Sequence, residues 1–130
     1  MPKHDLMFIL NAEGEPVVCP DVIEWAMWME ANYRARSVAL EEFEDGSAVS
    51  TVFLGLNHNH FGGEPLLFET MVFIDWDGPD RETGTMRRYR NRDEAVAGHE
   101  EIVREVRTGI EESHADAADV IVRIMGWKKS

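Results

Sequence analysis

One cysteine, Cys19, stands among the 130 residues, so no disulfide can form within the chain. Long hydrophobic runs are missing too. The longest nearly apolar stretches, 52–56 and 66–74, fall far short of the roughly 18 to 20 residues that a membrane-spanning helix needs. The start MPKHDLMFIL has too short an apolar run for a secretory signal. These absences predict a cytoplasmic chain with no membrane partner. Basic residues are scarce: 13 Lys and Arg stand against 25 Asp and Glu, a formal net charge of -12. Such a surface repels the phosphate backbone, which disfavours duplex nucleic acid as a partner. The acidity serves solubility, or else it imitates nucleic acid or steers a basic partner. No Gly-x-Ser-x-Gly, phosphate-binding loop, dinucleotide fingerprint or Cys-x2-Cys pair occurs. No repeat, linker or low-complexity block divides the chain, so residues 1–130 are expected to form one domain.

What is present reads as alternating strands and helices. Two short apolar runs, 5–10 and 15–19, flank the turn Asn11-Ala12-Glu13-Gly14 and predict a leading β-hairpin. After Pro20, Asp21 and Glu24 have the spacing of a capping box and open a helix over about 21–35. Its apolar residues, among them Val22, Trp25, Trp28 and Met29, spread beyond a single stripe, so the helix is expected to be covered on more than one side. Asp45-Gly46 between two β-prone runs, 37–44 and 48–56, signals a second hairpin. Segments 48–56 and 66–74 carry few polar residues on either face and are expected to be adjacent, antiparallel and central. A shorter strand near 85–90 precedes an amphipathic helix from Asn91 or Asp93, which carries His99 on its apolar side. In the remainder, 113–130, Ala115 to Ala118 favours helix while Val120 to Met125 also suits a strand; the reading leans towards a further helix.

Several residues invite a chemical reading. Residues 57–65, Asn-His-Asn-His-Phe-Gly-Gly-Glu-Pro, form a long connection where hairpins ordinarily use about two to five residues. There Gly63 permits close backbone approach and His58 can donate or accept a hydrogen bond. The alternative is a plain solvated connection. His58-x-His60 with Glu64 also has the spacing of a cupin metal site, although Gly62 and Gly63 interrupt the strand on which such ligands sit. Glu69 lies in a very apolar strand and needs a cationic or hydrogen-bonding partner. Residues 81–92 are the one basic stretch; Arg88 and Arg90 share a strand face by alternation and either pair with the acidic helices or contact an anion. His99 reads as a hydrogen-bonded packing residue.

Val49 to His58, Gly63 to Phe73, Arg88-Tyr89-Arg90 and Glu94 to His99 together resemble a small-protein family common in phage and prophage genomes. The resemblance spans about residues 37–106, and the string Phe68-Glu69-Thr70-Met71-Val72 carries most of it. It implies that His58, Gly63, Glu69, Thr70, Tyr89 and His99 are family features. Asn57 stands in place of the family's usual Asp, and His60-Phe61 in place of its more common Phe-Gly. The resemblance implies a phage origin rather than a reaction.

The fold expected is α+β, an antiparallel sheet of about five or six strands with two or three helices on one face. The function expected is that of a non-enzymatic phage accessory protein, with counter-defence as one use. It would hold a small anionic or nucleotide ligand through His58, Gly63, Glu69, Arg88 and Arg90, with no cofactor, and would assemble as an oligomer of identical chains. Two rivals stand beside it: an acidic inhibitor of a host nucleic-acid-binding or defence protein, and a metal-dependent enzyme using His58, His60 and Glu64.

Overall fold

A computed structural model of the protein describes residues 6–59, 62–76 and 82–127. The first strands, β1 (Phe8–Leu10) and β2 (Pro16–Val18), pair as an antiparallel ribbon, with Phe8 opposite Val18. Asn11 closes their turn, its Oδ1 accepting from the backbone of Glu13 and Glu15. Helix α1 (Val22–Ala31) starts where the Asp21 carboxylate takes the amide hydrogens of Ile23 and Glu24. It stops earlier than the apolar pattern suggests, because Asn32 caps it through the Trp28 carbonyl with both backbone and side-chain nitrogen.

Four strands follow, β3 (Ser37–Glu42), β4 (Ala48–Phe53), β5 (Phe68–Ile74) and β6 (Glu82–Tyr89), forming an antiparallel sheet in sequence order. The two apolar strands are therefore central and adjacent as expected, with Thr51 opposite Thr70. The Asp45-Gly46 turn joins β3 to β4, the Gly46 amide donating to the Phe43 carbonyl. Helix α2 (Arg92–Ser113) is capped by Asn91 and helix α3 (Ala117–Met125) by Asp116.

The expected single sheet of five or six strands is corrected to a four-stranded sheet plus a separate two-stranded ribbon. Gly55 supplies the reason. With φ +75° it turns the chain out of the sheet after Phe53, so β4 ends early. The backbone beyond it then bonds to the ribbon: the Phe8 amide donates to Gly55 O, and the Asn57 amide to Leu6 O. A Cβ at Gly55 would lie 2.6 Å from the Met29 sulfur, and the Trp25 indole donates to the Gly55 carbonyl at 3.0 Å. The same glycine thus seats α1 on the strand end.

Side-chain alternation gives the sheet two unlike faces. Val49, Thr51, Phe53, Phe68, Thr70 and Val72 point towards α2, which lays Ala95, Gly98, His99, Ile102 and Val106 against them. Helix α3 closes this layer with Val120 and Ile121 beside Val49 and Val72. The opposite face carries Leu40, Ser50, Val52, Glu69 and Met71, and is bordered by the chain after α1 and by Trp76. No helix among the described residues is long and apolar enough to cross a membrane.

Candidate functional site

The structure divides the expected site residues between two places. At one end of the sheet, Asn57 organises the 57–65 connection by accepting from the amides of Asn59 and Leu66, while Asn59 Nδ2 donates to the Glu64 carbonyl. The His58 amide bonds to Leu66 O, and Gly63 adopts φ +88°. Arg90 reaches this connection: its guanidinium lies 3.2 Å from the Glu64 carboxylate and 2.5 Å from that of Glu94 on the first turn of α2. The connection and Arg90 thus meet, and Arg90 is neutralised where they do. His60 lies outside the described residues, and among those described no three His, Cys, Asp or Glu side chains are grouped to hold a metal ion.

Arg88 does not join Arg90. It lies opposite Glu69 in the β5–β6 register, on the face of the sheet away from α2, and its Nε donates to Glu69 Oε2 at 2.8 Å. Thr85 donates to the same oxygen at 3.1 Å. Glu69 is 5% exposed, so the buried carboxylate has the partners its apolar strand demands. Arg87 points the other way and pairs with Glu101 on α2. Arg87, Arg88 and Arg90 each therefore contact an acidic side chain.

Beneath α2 runs a buried row of polar groups that crosses the core between its two apolar clusters. Tyr89 OH lies 2.8 Å from Thr70 Oγ1, Thr70 Oγ1 2.6 Å from Thr51 Oγ1, and Thr51 Oγ1 2.7 Å from His99 Nδ1. The Tyr89 hydroxyl has no second hydrogen-bond partner among the described residues. Only one direction then gives every hydroxyl hydrogen an acceptor: Tyr89 donates to Thr70, Thr70 to Thr51, and Thr51 to Nδ1 of a neutral His99. Burial independently pushes the His99 pKa below its ordinary value, although the Glu41 and Glu100 carboxylates pull it up. Burial likewise raises the Tyr89 pKa, keeping the phenol protonated as head of the row. Thr51, Thr70, Tyr89 and His99 are thus parts of one network. Gly98 makes room for it, since a Cβ there would meet the Tyr89 ring at 2.3 Å.

The sheet face away from α2 holds a recess of about 360 Å³ that the sequence did not disclose. Tyr33, Arg36, Leu40, Ser50, Val52 and Trp76 contribute to its lining. Val52 stands opposite Glu69 in the β4–β5 register, so the Glu69–Arg88 pair lies on the same sheet face. Trp76 is fixed by its amide bond to Gly46 O and by edge-on contact with Phe73, ring centroids 4.5 Å apart. The Arg36 guanidinium lies 5.6 Å from the Tyr33 ring centroid. It makes no hydrogen bond or ion pair with a described residue, and its Nε is fully buried. Ser37, Leu40, Ser50 and Val52 reach the same face through the β3–β4 register, the bulge between Ser37 and Ala39 bringing Ser37 and Leu40, three residues apart, to one side.

No family model, curated protein or solved structure matches the chain. The site must be judged on its own chemistry.

Proposed function

We propose that this protein is a non-enzymatic binding protein for a small anionic ligand with a flat aromatic part, a nucleotide being the simplest such molecule. The ligand lies in the recess on the sheet face away from α2. Arg36 is the observation that carries the reading: a half-buried guanidinium with a buried Nε and no hydrogen-bonding partner among the described residues, at the edge of an apolar recess. Such a group is costly unless an acceptor meets it, and a phosphate or carboxylate meets it bidentately. Trp76 and Tyr33 offer ring faces to a planar group, and Leu40 and Val52 an apolar floor. Within a protein of net charge -12 a fixed local cation is needed to draw an anion at all. His58, Gly63 and Arg90 belong to a second element at the sheet end, and Glu69 and Arg88 pair with each other on the same sheet face as the recess. The resemblance to phage proteins suggests the setting, an accessory protein that sequesters a host small molecule, with counter-defence as its use.

The test is a thermal-shift and calorimetric screen against nucleoside mono-, di- and triphosphates, cyclic nucleotides and inorganic phosphate. A stabilising nucleotide is expected, its effect lost in Arg36→Gln and Trp76→Leu and kept in Arg90→Gln. Loss in Arg90→Gln with retention in Arg36→Gln would move the site to the 57–65 connection. No stabilisation by any probe would overturn the reading.

A further inference from the structure

We infer that the outer face of α1 and the ribbon leading into it form a docking surface for a basic, apolar-faced segment of another protein. Helix α1 buries none of its ten residues fully. Its inner side, with Trp25, Trp28 and Met29, is half-buried against Gly55 and Phe53. On its outer side Ile23 and Met27 are 69% and 67% exposed, and Val22 at the first turn is 60% exposed. Val18, four residues before Val22, is 46% exposed as well. Single exposed apolar residues mean little, but a run of them on one short helix marks a surface that another molecule covers.

The surrounding charges decide what that molecule is. Between Leu6 and Tyr33 the chain contains Glu13, Glu15, Asp21, Glu24 and Glu30, all exposed, and no Lys or Arg. Glu30 lies one turn from Met27 and two from Ile23, so the carboxylate borders the same apolar strip. A second copy of the chain, joined by two-fold symmetry, would set this acidic surround against itself, and like charges across an interface are costly. An anionic lipid surface would be repelled for the same reason. A segment with an apolar stripe flanked by Lys or Arg satisfies both features: the stripe covers Ile23 and Met27, and the cations meet Glu24 and Glu30. The overall charge of -12 speeds the approach of such a partner. The surface is separate from the recess that holds Arg36, and either reading stands if the other fails.

The probe is a synthetic peptide of about 18 Leu and Lys residues arranged with helical period, compared with a scrambled peptide of identical composition. The periodic peptide is expected to bind the full chain about tenfold or more tightly than the scrambled one. Ile23→Gln with Met27→Gln, which changes no charge and touches no buried residue, removes that difference. Glu24→Gln with Glu30→Gln weakens binding several-fold and flattens its salt dependence. Val96→Gln, an exposed apolar position on α2, changes neither. Equal binding of the two peptides, or binding indifferent to Ile23→Gln with Met27→Gln, would overturn the inference. So would sedimentation showing a dimer of the native chain that this double substitution converts to monomer, because a second copy would then be the occupant.

Discussion

Arg88 and Glu69 share one hydrogen-bonded ion pair across β5 and β6, yet its two ends sit in different surroundings: the Glu69 side chain is 6% exposed and that of Arg88 37%. Removing the two partners therefore has unequal consequences. Arg88→Met leaves a buried carboxylate held by Thr85 alone and is expected to cost about 2–3 kcal/mol, discounted because the pair is partly solvated. Glu69→Gln leaves an arginine that can turn to water and costs about 1 kcal/mol. Urea denaturation of the two variants measures this; equal costs would show that burial of the carboxylate does not govern the pair.

Protonating His99 reverses the polar row, because Nδ1–H must then donate to Thr51 and the Tyr89 hydrogen loses its acceptor. Tyr89→Phe removes that hydrogen, so the His99 pKa, followed by NMR, is expected to rise towards its ordinary value in this variant. The sign for stability follows from a folded-state pKa depressed below 6.5. Between the folded and unfolded values the unfolded chain holds more protons, so stability climbs with pH up to about 6.5 and levels above it. His99→Gln is expected to lack this rise. An unchanged slope in that variant would assign the pH dependence to other groups.

Gly98→Ala gains about 1 kcal/mol of helix propensity but places a methyl group 2.3 Å from the Tyr89 ring. The overpacking, about 1–3 kcal/mol, is expected to win and to displace the phenol from Thr70. A lower thermal midpoint together with a shifted His99 titration would show both effects. A stabilised variant would mean that the ring moves aside without cost.

Asp45 joins the β3–β4 turn to α3. Its carboxylate accepts from Ser47 Oγ and N and, across 73 residues of sequence, from the Ala118 amide at 2.8 Å. Burial disfavours its charge, but these hydrogen bonds outweigh burial and hold the pKa below 3.8. The resulting stability is present above pH 3.8 and is lost as pH falls through the folded value. Asp45→Ala is expected to cost about 1–2 kcal/mol, as for loss of a helix cap. Below pH 3.8 its disadvantage against the native chain is expected to narrow, which acid titration of the unfolding free energy would reveal.

Much of the architecture was legible because local chemistry and global fold agree. Asp21 and Asn91 open the first two helices by capping, Asp45-Gly46 makes the hairpin, and the apolar runs around Val49 and Val72 become the central strands, whereas the start of α3 at Asp116 was not read from the sequence. The early exit at Gly55 was not legible, because an isolated glycine in an apolar run does not disclose its φ. Of the site, the partner of Glu69 could be expected from the cost of burying a carboxylate, and the inward position of His99 from helical spacing. Arg88 and Arg90 looked alike by alternation. They separate because β6 ends at Tyr89, where Arg90 leaves the sheet for Glu94 and Glu64. The recess around Arg36 escaped notice because its lining comes from residues 33–76, joined only through strand register.

The direction of the row Tyr89–Thr70–Thr51–His99 also bears on how this sequence can drift. Replacing one member, as in Thr51→Val, strands a donor on one side and an acceptor on the other. Replacing Thr51 and Thr70 together by valine leaves fewer unmatched atoms than the single changes suggest. Relatives of this protein are therefore expected either to keep the four positions intact or to have exchanged several at once, so that these residues are inherited as a block.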